Sequence, residues 1–256
     1  MSNEYHIPCE AGSLGDMLAA TAVFKNGRTG SVTLTDEPRI RNFSAIFNEI
    51  AEVKFVPAVT SPMPLAGEGP AAKRVLNALG IKDYGTPYVK PKDDDINEAI
   101  EWIRSRDIKS PIVVNGAVGG GNSDHPLRFY RKPPRETMEW IVQQLLKSGF
   151  TPITFGITGN QETYDGAIAV PDLPIAKLAA MYQVIGRYIG PDTGDYHLMI
   201  GVGGRCVTLI PDNAWNYDYK MHLYTRDCFP SSFNPADNRA VRVWYVNFKN
   251  YEKIFK

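Results

Sequence analysis

The run Tyr188-Ile189-Gly190-Pro191-Asp192-Thr193-Gly194-Asp195-Tyr196-His197-Leu198 takes a short apolar strand through a tight turn into a helix. Its chemistry suits an anion. The first N–H groups of a helix have no partner inside it, and the macrodipole gathers partial positive charge there, so a phosphate can be held without a lysine. Thr193 and Gly194 stand where that helix begins. Gly194 lets a ligand approach the backbone closely, and Thr193 can add a hydroxyl. Simple helix capping by Asp192 or Thr193 is the alternative use of the same residues. A second strand-to-helix junction lies near the N-terminus: Ala11-Gly12-Ser13-Leu14-Gly15-Asp16-Met17-Leu18, after Tyr5-His6-Ile7-Pro8-Cys9. Gly12 and Gly15 flank Ser13 and Leu14, and Asp16 arrives in the first turn of the helix that follows. The glycines fall short of the full dinucleotide pattern G-x-G-x-x-G, and Asp16 by itself also fits an ordinary first-turn acid favoured by the dipole.

Two further groups carry charge or close backbone approach. Pro111 to Asn115 reads as a strand, and it enters the glycine-rich loop Gly116-Ala117-Val118-Gly119-Gly120-Gly121-Asn122. Such a loop at a strand's C-terminal end either lies backbone-first against a ligand or simply moves. Next come Arg128, Arg131, Lys132 and Arg135, with Phe129 and Tyr130 interleaved. Three uses are open: a solvated helix entrance, a nucleic-acid contact, or a grip on diphosphate oxygens. The position after the loop favours the last. Asp93, Asp94 and Asp95 form an acidic triplet that fits the start of a helix, where acids are ordinary, better than a metal site.

On these residues the chain resembles the heptosyltransferase-like glycosyltransferases, glycosyltransferase family nine, in shortened form. The resemblance runs through Gly12-Ser13-Leu14-Gly15-Asp16, and then Arg131-Lys132-Pro133-Pro134-Arg135-Glu136, which is similar to the family's Lys-x-Trp-Pro-x-Glu with Arg for Lys and Pro for Trp. Phe155-Gly156 with Glu162 follows, then Val170-Pro171-Asp172-Leu173 with Leu178-Ala179, and it closes on Asp192-Thr193-Gly194 with His197. The resemblance implies a GT-B-like α/β fold, with two Rossmann-like doubly wound domains facing each other across a cleft. It implies an inverting, metal-independent transfer of a hexosyl, heptosyl or pentosyl group from a nucleoside-diphosphate sugar to an acceptor hydroxyl on a glycan, with no cofactor. Asp16 would be the general base. Arg131, with Lys132 as substitute, would hold the diphosphate together with Asp192, Thr193 and Gly194, Glu162 would reach the nucleoside, and His197 belongs with these donor-binding residues. His197 fits a structural role in the turn better than a catalytic one. Gly12, Ser13, Gly15, Gly119 and Gly120 would line the site as glycine-rich loops. Asp195 stands where the family has an apolar residue, and beside a phosphate it would have to turn outward. Two alternatives share the pattern: the same chemistry on hydroxymethylated DNA bases, as in bacteriophage enzymes, or a nucleotide-binding relic without transfer.

The elements that must position these residues follow the alternation of parallel α/β proteins. Strands are expected at Tyr5–Cys9, Ser31–Thr35 and Ala51–Val56, with helices at Asp16–Phe24 and Pro38–Phe47. Pro- and Gly-rich passages interrupt the pattern at 57–70 and 80–91, around a helix at Pro70–Leu79, and a helix at Asp94–Arg106 precedes the restart at Pro111. Further helices are expected at Glu136–Lys147, Ile175–Tyr182 and His197–Ile200, and strands at Thr151–Phe155, Arg187–Ile189 and Cys206–Ile210. The boundary falls near Lys109, giving an acceptor-side domain at 1–108, reduced in size, and a donor-binding domain at 109–256. The tail from Asn213 has a strand-like run, Ala240 to Val246, that the pattern assigns to no place.

Composition agrees with a folded chain and excludes several classes. At 256 residues and 43% hydrophobic it can bury one large core or two modest ones. Its 28 basic and 28 acidic residues cancel, which argues against a long DNA footprint or an anionic-membrane field. No apolar run approaches the ~20 residues that cross a bilayer and no signal pattern opens the chain, so a cytoplasmic protein is expected. The three cysteines, Cys9, Cys206 and Cys228, are widely spaced and suit neither a disulfide framework nor a zinc site. Cys9 and Cys206 read as core strand residues.

Overall fold

A computed structural model of the chain describes residues 4–9, 14–67, 71–83, 85–117, 132–156, 162–211 and 239–243. The first sheet holds three parallel strands in the order β1-β2-β3: β1 (Glu4–Cys9), β2 (Thr29–Thr35) and β3 (Glu52–Val56). Ile7 pairs in register with Val32 and Cys9 with Leu34, so the alternate residues of adjacent strands bury together on one face. Helix α1 (Leu14–Thr21) buries Leu14, Met17, Leu18, Ala19, Ala20 and Thr21, more than one face of a surface helix would. It is enclosed because it packs on β1 and also on a helix of the second half.

The first two helices predicted for this half are shorter as α-helices than their sequence pattern suggests. The first passes into a 3₁₀ segment, Ala22–Gly27, and stops where Asn26 and Gly27 take left-handed φ of 61° and 74°. The second divides into α2 (Pro38–Phe43), with Pro38 at its first turn, and a 3₁₀ turn at Ser44–Phe47. Ile40, Phe43, Ile46 and Phe47 still bury along one side, so the apolar spacing survives the change of pitch.

The second sheet has six parallel strands in the order β6-β5-β4-β7-β8-β9. They are β4 (Pro111–Val114), β5 (Thr151–Phe155), β6 (Ile168–Val170), β7 (Arg187–Pro191), β8 (Arg205–Pro211) and β9 (Arg239–Val243). The chain winds outward from β4 in one direction, then returns to the other side of β4 and winds away, as in a Rossmann sheet. Period-two alternation sends Ile112, Val114 and Ile189 to one core and Val113 and Tyr188 to the other. The first core is closed by α5 (Arg135–Lys147) through Met138, Ile141, Val142 and Leu145. The second is closed by α6 (Ile175–Ile185) and α7 (Gly194–Gly201). Two strands were not placed by the sequence: β6, only three residues long, and β9, which seats part of the tail run beside β8.

The two halves are tied together. Beyond α3 (Ala71–Ala78), Asp83 pairs with Arg28 at 2.7 Å, Lys25 Nζ donates to Thr86 at 2.8 Å, and the Tyr88 N–H donates to Thr21 Oγ1 at 2.9 Å. One residue on, the Val89 N–H donates to the carbonyl of Gly201, in the last turn of α7, at 2.8 Å. Asp93, Asp94 and Asp95 occupy the first turn of α4 (Asp93–Ser105), which lies against α6 and pairs Glu98 with Lys177 at 2.6 Å. Among the described residues, no helix is long and apolar enough to cross a membrane.

Candidate functional site

In a doubly wound sheet, the strand order reverses at one gap, and the loops leaving the strands on either side part there. Here that gap lies between β4 and β7. Their C-terminal ends are held close: a Cβ on Gly190 would stand 2.4 Å from the carbonyl oxygen of Asn115 and 2.6 Å from the Tyr188 hydroxyl, so only glycine fits. The turn after β7 leads through Asp192 and Thr193 into α7. Thr193 occupies the N-cap position in extended backbone but makes no side-chain bond to the helix. Its hydroxyl lies 3.3 Å from that of Tyr188, which donates to the Pro191 carbonyl at 2.9 Å. The capping alternative for Thr193 therefore does not hold, and its hydroxyl instead braces the turn.

The start of α1 rests on the start of α7. A Cβ on Gly194 would lie 3.1–3.4 Å from three side-chain atoms of Leu14, tighter than ordinary contact. The two helix starts singled out in the sequence thus meet, with Gly15 and Asp16 in the first turn of one and Thr193 and Gly194 opening the other. Asp16 is half-buried, and its charge adds to burial in pushing the Cys9 thiol up to about 12. Cys9 and Cys206 are buried strand residues, as their sequence context suggested.

Asp195 departs from expectation. It is 6% exposed and turns into the protein, where its carboxylate accepts from the Tyr182 hydroxyl at 2.6 Å and from Asn115 Nδ2 at 2.5 Å. Partners of this kind make an inward acid tolerable where solvent would otherwise be needed. Burial raises its pKa to about 6, against the lowering effect of these bonds. Burial and the neighbouring Asp195 charge also push the Tyr182 and Tyr188 hydroxyls up. A raised carboxylate pKa favours the folded state most below the unfolded value near 4, and that contribution is lost as pH rises through about 6. Asp195→Asn, which cannot ionise, should therefore gain on wild type by on the order of 3 kcal/mol between pH 4 and pH 7. Urea unfolding of both proteins across that range measures it, and parallel stability curves would show that Asp195 does not titrate there.

His197 faces Asp192, with Nε2 3.0 Å from Oδ1, and both are largely buried. This contact sets the Asp192 carboxylate of the turn beside a side chain of α7. Glu162 is bound on two sides: Lys132 Nζ lies 2.6 Å from Oε1, and the Tyr164 hydroxyl donates to Oε2 at 2.6 Å. Burial, and then Glu162, push the Tyr164 hydroxyl above its usual range. Both side chains crowd Gly116, where a Cβ would stand 2.0 Å from the Tyr164 hydroxyl and 2.9 Å from Glu162 Oε2. Glu162 and Lys132 are thus brought beside the loop that leaves β4, on the same edge of the sheet as the α7 start. Gly12, Ser13, Gly119, Gly120 and Arg131, with Arg128, Phe129, Tyr130 and Cys228, lie outside the described residues.

Sequence reasoning passed over Asn115, Tyr164, Tyr182 and Tyr188, which hold the acids and the turn. A polar residue closing the buried strand Ile112-Val113-Val114 was the visible signal for Asn115. The tyrosines look like ordinary core aromatics until their hydroxyls are seen to have partners. Among the described residues, no cluster of three or more His, Cys, Asp or Glu is spaced to hold a metal ion.

No protein-family model and no curated protein matches the chain. Its fold, however, is similar to that of solved glycosyltransferases. The family 9 glycosyl transferase from Veillonella parvula aligns with a TM-score of 0.67 at 14% identity, over 100% of this chain and 91% of that one. The E. coli ADP-heptose LPS heptosyltransferase II aligns with a TM-score of 0.53 at 10% identity, over 86% and 89%. The E. coli heptosyltransferase WaaC, solved with ADP-2-deoxy-2-fluoro heptose, aligns with a TM-score of 0.51 at 11% identity, over 98% of both chains. The chain thus has the α/β, GT-B-like fold expected from its sequence.

Proposed function

We propose that the chain is a glycosyltransferase that moves a sugar from a nucleoside-diphosphate donor to an acceptor hydroxyl, with inversion and without a metal. The observation that carries this reading is the meeting of two helix starts at the switch point, Leu14 against Gly194, which brings the first turn holding Asp16 and the turn at Thr193 to one junction. The likeness of fold to solved sugar transferases supports it. So does the order of the sequence motifs.

In this mechanism the diphosphate sits on the backbone N–H groups that open α7, and Arg131 supplies a cation to its oxygens. These donors offset the charge that develops on the departing diphosphate, the role a metal ion takes in other transferases. Glu162, steadied by Lys132 and Tyr164, accepts from hydroxyls of the nucleoside. Asp16 draws the proton from the acceptor hydroxyl as its oxygen attacks the anomeric carbon from the face opposite the leaving group, so the configuration inverts. The acceptor is a glycan hydroxyl, bound mainly by residues 1–108, while residues 109–256 bind the donor.

The test begins with ADP, GDP and UDP in thermal-shift assays, followed by turnover of the sugar nucleotide whose diphosphate stabilises the protein. Release of diphosphate should continue unchanged in EDTA, and the product should carry the anomeric configuration opposite to that of the donor. Loss of activity in EDTA with recovery on adding magnesium or manganese would rule out metal independence, and a retained configuration would rule out direct displacement.

A further inference from the structure

We propose that Asp195 is a positioning residue for the donor: its carboxylate orients the Asn115 amide and thereby holds the backbone at Ala117 against the start of α7. The proposal rests on reading this junction as the donor site. Asn115 has two chemically distinct ends, and both are engaged. Its Nδ2 donates to Asp195 Oδ2 at 2.5 Å, and its Oδ1 accepts the Ala117 N–H at 2.7 Å. An ionised carboxylate only accepts, so it can face only the NH₂ end of the amide, and the oxygen must then point toward Ala117. Tyr182, donating to the other carboxylate oxygen at 2.6 Å, keeps Asp195 in that pose. Asp195 is the second residue of α7, and Asn115 follows the last residue of β4.

One side chain therefore links the two backbone segments that part at the switch point. On its other side, Gly116 is bounded by Tyr164 and Glu162. An apolar side chain at 195 can fill the same space, but it leaves Nδ2 without its acceptor and the amide free to turn over. The backbone at Ala117 then loses its anchor. The donor would have to order that segment on binding, so the cost falls on affinity rather than on the chemical step.

The test uses the full chain, with ADP, GDP and UDP as probes in calorimetric titration and hydrogen exchange at the Ala117 amide. Asp195→Leu should weaken binding of the preferred diphosphate by about 10-fold, raise donor KM with a smaller change in kcat, and speed exchange at Ala117 by about 10-fold or more. The transposed pair Asn115→Asp with Asp195→Asn provides the control. The carboxylate introduced at 115 accepts from Ala117 and from the amide introduced at 195, whose oxygen accepts from Tyr182. All three bonds return, so affinity and exchange should recover to within about 2-fold of wild type. A folded Asp195→Leu with wild-type affinity would overturn the proposal. So would a folded transposed pair that recovers neither readout. Should wild type bind none of the three diphosphates, the donor reading fails and the binding role of Asp195 with it. Faster exchange at Ala117 in Asp195→Leu would then mark a structural link without a donor.

Discussion

Asp16→Asn should lower sugar transfer by roughly 10²-fold or more while leaving nucleoside diphosphate affinity nearly unchanged. The amide keeps the shape of the side chain and its place in the first turn of α1, so the contact between Leu14 and Gly194 is preserved. What it loses is the ability to take a proton. An acceptor hydroxyl is a weak nucleophile at neutral pH, and its attack depends on a base within hydrogen-bond reach. In the proposed mechanism the donor phosphates lie on α7, so removing the base slows the chemical step without disturbing their capture. Steady-state kinetics with calorimetry on the same preparations separate the two. Wild-type turnover in the variant would reduce Asp16 to a helix-start acid.

Arg131→Ala should weaken nucleoside diphosphate binding about 10- to 100-fold, because it deletes a charge-assisted contact worth about 1.5–3 kcal/mol. Lys132, next in the chain, has its ammonium 2.6 Å from Glu162, so its charge is shared with that carboxylate. Arg131 is then the better source of a cation for the phosphates. Thr193→Val should cost less, since the backbone N–H groups of α7 remain and the Thr193 hydroxyl already leans on Tyr188. Titrating the diphosphate into wild type, Arg131→Ala, Thr193→Val and Asp16→Asn checks the assignment of the donor to residues 109–256. Equal affinity in wild type and Arg131→Ala, or a large loss in Asp16→Asn, would put the diphosphate in the wrong half.

Local pattern was enough for most elements. The apolar run of β4, the glycine turns and the first-turn acids of α1 and α4 are set by nearest neighbours and by the dipole, so the sequence shows them directly. The 3₁₀ endings at Ala22–Gly27 and Ser44–Phe47 were hidden, because apolar spacing alone does not separate one helical pitch from another. The short edge strand β6 carries too few residues for an alternation to register. The tail run could be read as a strand, yet its place beside β8 is a long-range pairing with no local signature.

By itself the sequence singled out the candidates for chemistry: Asp16, the cations around Arg131, Glu162, Thr193 and Gly194. Only the tertiary structure decided how they are held. It turned Asp195 inward, since two donors from distant segments, Asn115 and Tyr182, together satisfy a carboxylate that neither could satisfy alone. It set Leu14 on Gly194, a contact between residues far apart in the chain, created by packing α1 on α7. Helix starts and glycine turns are properties of a few adjacent residues. The meeting of two such starts, and the bonds that fix an acid beneath one of them, depend on the packing of the whole fold.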